Sequence, residues 1–266
     1  MAEDPGNPDG RINTETKGRL LLIGIDRPHK LNAFTPKMYR ELGDAYTRLE
    51  EDDELWCGVV HPVGANTTAG LDLPKMQPLL DSGADWFGEG NIDALGLQGP
   101  FRSKPVVMAV RGISYTLAVE LMLACDIVVA GDDCRFTQFE VKRNLMATGG
   151  ATLRMVIRAG WGNAMRYLLT DDEFDAATAL RLNYVQEVVP ADQVLDRAVE
   201  IALNICAQSP LAVRATIANA RKYLQEGYGP AVAEFDHVNV NLRRSKDAEE
   251  ALAAFIEKRP PRFTGQ

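Results

Sequence analysis

Val106-Val107-Met108-Ala109-Val110-Arg111-Gly112, then Ile113-Ser114-Tyr115-Thr116-Leu117, then Ala118-Val119-Glu120-Leu121-Met122-Leu123-Ala124-Cys125-Asp126-Ile127-Val128-Val129-Ala130, reads as strand, turn, helix and strand. A membrane span wants roughly 20 uninterrupted apolar residues. Here Arg111, Gly112, Glu120 and Asp126 interrupt the run. The pattern is that of a buried αβ passage in a soluble core.

The same alternation continues upstream. Leu20 to Asp26 is a short apolar run closed by Arg27-Pro28, and Trp56 to Val60 is another, closed by His61-Pro62. Both read as buried strands. Between them Thr35 can cap a helix with Pro36 at its first position, and Met38, Leu42, Ala45, Tyr46 and Leu49 recur at helical spacing. From Leu71 to Lys104 glycines break the pattern into short pieces, as in binding or lid segments or surface insertions. Downstream, Gln186 to Val189 reads as a strand, and four helices follow: Ala191 to Ala207, Pro210 to Glu226, Pro230 to Leu242 and Asp247 to Lys258. The shift to all-helical pattern after Pro190 is the one boundary in an α/β chain without fixed-period repeats.

Composition narrows the class. With 266 residues, 46% apolar and 25% charged, the chain can bury a sizeable core. A net charge of −8 argues against nucleic acid or an anionic membrane surface as the main partner. Cys57, Cys125, Cys134 and Cys206 match no metal-ligand spacing and read as reduced thiols of a cytoplasmic protein. The first residues, Met1 to Gly10, are acidic and rich in Pro and Gly, which reads as a flexible tail rather than a signal peptide.

Two acids stand out. Glu120 lies in a helix that is apolar on nearly every side, and a carboxylate there is costly unless paired or raised in pKa. Glu140, after Phe136-Thr137-Gln138-Phe139, repeats the theme. Raised carboxyls serve acid–base chemistry near neutral pH; the simpler alternative is a structural ion pair with Arg111, Lys142 or Arg143. Ala69-Gly70-Leu71-Asp72-Leu73 forms a glycine turn, and the turn before the Glu120 helix lies at a helix N-terminus. Each can leave a backbone N–H free, and two converging donors make an oxyanion hole. Ser114, in Gly112-Ile113-Ser114-Tyr115-Thr116, invites comparison with a serine nucleophile, but none of His29, His61 and His237 has a clear orienting acid. A loop serine satisfied by backbone is the simpler reading.

In this order the pieces resemble the enoyl-CoA hydratase/isomerase (crotonase) family, from about Gly18 to the C-terminus. The likeness rests on Asp26-Arg27-Pro28 with Leu31-Asn32-Ala33, on Ala69 to Leu73, on Lys104 to Gly112, on Glu120-Leu121 leading to Ala124-Cys125-Asp126-Ile127, and on Ala254-Phe255-Ile256-Glu257-Lys258-Arg259 before Pro260. It implies an α/β crotonase-like spiral of ββα units over residues 18–190, after a flexible tail over 1–17. A helical region over 191–266 would build trimers, often paired into hexamers.

The resemblance also implies an acyl-CoA thioester substrate, with no metal or redox cofactor. The Leu71 and Leu117 N–H groups would form the oxyanion hole, with Glu120 and Glu140 as catalytic acids. Lys30 and Leu31 would lie near the adenine, with Ala69, Gly70 and Asp72 lining the substrate loop. Phe255 and Lys258, from the same or a neighbouring subunit, would approach the coenzyme. Hydration of a 2-enoyl-CoA is the leading expectation, because two carboxylates can share the acid and base roles. A double-bond isomerase or another acyl-CoA lyase is the alternative within the family, and a non-catalytic acyl-CoA-binding or scaffold protein the alternative outside catalysis. The chain departs from the family pattern at Thr116-Leu117-Ala118, Ala147-Thr148 and Thr67-Thr68. Leu71 and Leu117 would reshape the acyl pocket.

Overall fold

Strands apolar on both sides need a layer on each face, and the main sheet is built from such runs. The computed structural model describes residues 7–83 and 85–266. Its strands are β1 (Arg11–Lys17), β2 (Leu20–Asp26), β3 (Cys57–Pro62), β4 (Val106–Val110), β5 (Ile113–Tyr115), β6 (Ile127–Gly131), β7 (Arg135–Thr137), β8 (Phe174–Asp175) and β9 (Glu187–Val189). The main sheet runs β1-β2-β3-β4-β6-β9, antiparallel only between β1 and β2. A smaller sheet runs β5-β7-β8.

The pleat sends alternate residues to two cores. Val106, Met108 and Val110 join Leu21, Ile23, Ile25 and helix α1 (Pro36–Glu51) on one side. Val107 and Ala109 join Leu20, Cys57, Val59 and Val129 on the other. The chain passes twice from large sheet to small sheet to helix. The first pass is β4, β5 and α3 (Leu117–Ala124); the second is β6, β7 and, after a 3-10 turn at Val141–Arg143, α4 (Ala151–Ala159). These are ββα passages of a crotonase-type spiral. Helix α2 (Leu73–Ser82) precedes β4, and α5 (Trp161–Leu168) and α6 (Ala176–Arg181) lie between α4 and β9.

Four more helices follow β9 before the last one. They are α7 (Val194–Cys206), α8 (Pro210–Glu226), α9 (Tyr228–Ala233) and α10 (Phe235–Arg243), with α11 (Lys246–Glu257) closing the series. Helix α7 buries Val194, Ala198 and Ala202 against the second face of the main sheet, so it belongs to the core. The single helix expected over Pro230 to Leu242 is two, α9 and α10, joined at Glu234.

The N-terminal expectation is corrected in part. Residues 1–6 lie outside the described residues, but 7–17 are not a tail. Arg11–Lys17 pairs along its whole length with β2, from Arg11↔Asp26 to Lys17↔Leu20. Ile12 is its one buried apolar side chain, and Thr14 and Thr16 accept hydrogen bonds from Arg48 (3.3 and 2.8 Å). An edge strand with one wet face needs little apolar residue, which is why the run reads as polar chain. No single helix among the described residues is long and apolar enough to cross a membrane.

Candidate active site

Two turns meet beside the small sheet. Thr68 bridges Ser114 in parallel register, with the Thr67 N–H donating to the Arg111 and Ile113 carbonyls (both 2.9 Å) and the Tyr115 N–H to the Thr68 carbonyl (3.0 Å). Three residues beyond each bridge partner come Leu71 and Leu117. Gly70 has φ +100°, and a Cβ there would overlap the Thr116 hydroxyl, so only glycine allows the turns to touch. Thr116 is itself in an unusual conformation, with φ 47° and ψ −102°. Phe34 bonds on both sides of Leu71: its N–H donates to the Gly70 carbonyl and its carbonyl accepts from the Asp72 N–H, both at 2.9 Å. The Leu71 N–H therefore faces away from Phe34. Leu117 opens α3, where an N–H has no intrahelical acceptor. Neither N–H donates to another group among the described residues. Both leucine side chains pack on the main core, Leu117 fully and Leu71 in part.

Glu120 is 7% exposed within α3, whose other side chains from Leu117 to Leu123 are also buried. Burial pushes its carboxyl up to about 7, and the charge of Glu140 adds to the rise. The Ala151 N–H, at the start of α4, reaches toward Oε1 at 3.5 Å. Gly149 lies directly under the carboxylate, with no space for a Cβ. Glu140 follows β7 and is half-buried. Burial raises its carboxyl, with the charge of Asp171 pushing the same way and Arg143 opposing. With its amide nitrogen turned inward, Gln138 donates to both Glu140 oxygens at 2.9 and 3.0 Å.

The structural ion pairs considered from sequence do not form: neither acid has a salt-bridge partner among the described residues. Arg143 instead lies over the Phe139 ring, 5.2 Å from its centroid. Ser114 is buried on β5 rather than in a loop, its hydroxyl donating to Thr67 Oγ1 at 2.9 Å.

The remaining expected residues divide. Leu31 sits against the Ala69–Gly70 turn, its carbonyl accepting from the Ala69 N–H (2.9 Å), and Lys30 precedes it at the end of the 3-10 turn Pro28–Lys30. Leu31 and Asn32 are both left-handed, φ 50° and 55°. The buried Asn32 amide holds this turn, accepting from the Arg27 N–H (2.6 Å) and donating to the Val63 and Asn66 carbonyls. Asp72 is spent on structure: Arg27, 1% exposed, donates to its Oδ2 at 2.8 Å. Phe255 and Lys258 stand at the far end of the chain, Phe255 82% exposed on α11 and Lys258 capping that helix at φ 55°.

Of three further site neighbours, Gly149 and Arg154 are visible in sequence only as Gly149-Gly150 and Arg154 keeping the register of the family resemblance, without a role, and the third escapes sequence reading. Asp171, at φ 55° with a buried Oδ1 lacking any partner, sits in an ordinary acidic run, and the Thr137 hydroxyl donates to its carbonyl (3.0 Å). No cluster of His, Cys, Asp and Glu among the described residues could hold a metal ion.

Two backbone N–H groups without an acceptor, on turns that meet, thus share a two-sheet spiral with two acids raised by burial, Glu120 buried and Glu140 half-buried. The sequence model for enoyl-CoA hydratase/isomerase matches residues 15–266. Enoyl-CoA hydratase EchA19 of Mycobacterium tuberculosis is 33% identical over 99% of both chains. Carnitinyl-CoA dehydratase of Proteus mirabilis is 31% identical over 96% of this chain and 98% of its own. A solved structure described as a probable enoyl-CoA hydratase/isomerase from Mycobacterium abscessus superposes with a TM-score of 0.94, at 40% identity, covering 96% of this chain and 98% of that one. The chain belongs to the enoyl-CoA hydratase/isomerase family, and it is an enoyl-CoA hydratase or a related enzyme of that family.

Proposed function

We propose that the chain adds water across the 2,3 double bond of an enoyl-CoA thioester, with Glu120 and Glu140 as the acid–base pair. The observation that carries this reading is two acids, Glu120 buried and Glu140 half-buried, both raised by burial, with no salt-bridge cation on either among the described residues. Burial and the charge of Glu140 raise Glu120 to about 7, so Glu120 is the member suited to carry a proton near neutral pH while Glu140 is ionised beside it. The ionised member takes a proton from water as its oxygen bonds to C3. The thioester oxygen gains charge and is held by the Leu71 and Leu117 N–H groups. The protonated member then delivers its proton to C2, and the pair ends with the proton count it began with. Coenzyme A enters only as part of the substrate, and the reaction calls for no metal or redox group. Lys30, Leu31, Ala69 and Gly70 would line the coenzyme side, with Asp72 supporting the loop through Arg27.

Copies of the chain would associate through the C-terminal helices as a trimer or a dimer of trimers. Leu224, Tyr228, Phe255 and Ile256 are each more than half exposed there, apolar surface that a second copy would cover. In such an assembly Phe255 and Lys258 could reach a neighbour's coenzyme.

Crotonyl-CoA and enoyl thioesters varied in length, branching and aromatic content test the reading. Loss of the conjugated thioester absorbance should accompany gain of one water by mass. Glu120→Gln and Glu140→Gln should each abolish turnover while coenzyme A binding survives. Wild-type rates in both variants on the hydrated substrate would overturn the assignment.

A further inference from the structure

Glu120 does not hold its own place. Its carboxylate lies on Gly149, where a Cβ would sit 2.5 Å from its Cδ, and the next residue, Gly150, has φ +104°. On Gly150 a Cβ would overlap the guanidinium of Arg154. The two consecutive glycines are thus required by two different charged side chains, an acid over one and a guanidinium over the other.

The same guanidinium reaches a distant segment. Arg154 Nη1 donates to the Gly149 carbonyl at 3.3 Å, and Nη2 donates to the carbonyls of Leu95 (2.6 Å) and Gly96 (3.2 Å). Those two carbonyls belong to a turn organised by Asp93, whose carboxylate accepts from the N–H groups of Leu95 (2.7 Å), Leu97 (2.8 Å) and Gln98 (3.0 Å). We propose that Arg154 is a positioning residue for Glu120, fixing the Gly149–Gly150 step under the carboxylate and tying that step to the turn at residues 93–98. A planar fork with several donors can bridge three carbonyls, which a lysine ammonium cannot do with the same geometry. The turn at 93–98 and the acid are therefore one mechanical unit.

The inference rests on Glu120 being an acid–base residue, so the test needs a readout independent of turnover. The charged and titratable groups facing Glu120 are Glu140 from the turn after β7, Arg154 from α4 and Tyr39 from α1. Of these Arg154 is the cation, and it opposes the rise in Glu120. The experiment is carboxyl 13C NMR titration of the full chain, with Glu120 assigned by its loss in Glu120→Gln, alongside steady-state kinetics and thermal unfolding.

In Arg154→Met the Glu120 midpoint should move up by about half a unit to one unit. In Arg154→Lys the midpoint should stay near that of the wild type, while kcat falls about tenfold and KM changes little, because charge is kept and the bridge is lost. Asp93→Asn should lower kcat through the same link, so adding it to Arg154→Met should cost little more than the worse single change. An unmoved midpoint in a folded Arg154→Met, or kcat losses that multiply in the double variant, overturns the proposal. If the wild type hydrates no enoyl thioester but the midpoint moves as expected, the role of Arg154 stands and the hydratase reading falls.

Discussion

Gly149 and Glu120 occupy one volume between them: the carboxylate of the acid fills the space where a side chain at residue 149 would begin. Gly149→Ala should therefore move Glu120 rather than merely crowd it. Backbone and carboxyl group must separate by about an ångström, and displacement on that scale costs about 100-fold in rate. Overpacking should also destabilise the fold by about 1–3 kcal/mol. Kinetics and thermal unfolding of the variant check both.

The pH dependence of stability follows from the sign of the Glu120 shift. Its folded value, about 7, lies above the ordinary 4.5, so between those values the folded state binds more protons than the unfolded one. Stability from this group is fully present below about 4.5 and is lost as pH rises through about 7. The shift corresponds to roughly 3 kcal/mol, shared in part with Glu140. Glu120→Gln should accordingly be more stable than the wild type at pH 8 and show little advantage at pH 4.5. Denaturant titrations at the two values decide this; an equal advantage at both would contradict the sign.

Gly70→Ala carries a double penalty. The residue must keep φ +100° and its new methyl must displace the Thr116 hydroxyl. The strain alone is of the order of 1–3 kcal/mol. Because the turns at Leu71 and Leu117 would be pushed apart, the proposed oxyanion contact should weaken as well, lowering kcat by about 100-fold or more. A variant that loses stability but keeps kcat would separate the turn's structural role from catalysis.

The Arg27–Asp72 pair offers a test of the scaffold. Arg27 is almost wholly buried, so Asp72→Ala leaves a guanidinium short of its counter-ion, a change that costs about 3–5 kcal/mol when a buried pair is broken. Replacing both residues together, as in Arg27→Met with Asp72→Leu, should cost less than Asp72→Ala alone. Urea denaturation of the single and double variants gives the comparison.

What the sequence reveals follows from where the physics is local. β4 matches its expected bounds because a strand buried on both faces is an unbroken apolar run, and Glu120 stands out because it is the one charge in an otherwise apolar helix. The small sheet is not legible: β7 spans three residues and β8 two, too short for any period to register. Arg154 and the carbonyl of Leu95 are 59 positions apart, and nothing in either neighbourhood signals that they meet. The paired turns are intermediate. Gly70 announces a turn, but its fit against Thr116 depends on the parallel register of Thr68 with Ser114.

Pro8 is where this matters for anyone handling the protein. Its carbonyl accepts from both Nε (3.1 Å) and Nη2 (2.9 Å) of Arg27, the same guanidinium that grips Asp72, while the Asp9 and Gly10 carbonyls accept from Thr35 (2.7 Å) and Lys37 (2.8 Å). Trimming the chain to residue 11, a routine way to shed an unpromising leader, would strip two hydrogen bonds from the buried cation that holds Asp72, the residue next to the proposed oxyanion donor. A shortened enzyme with poor activity would then report damage done at the bench, and a tag belongs at a point that leaves Pro8 to Gly10 intact.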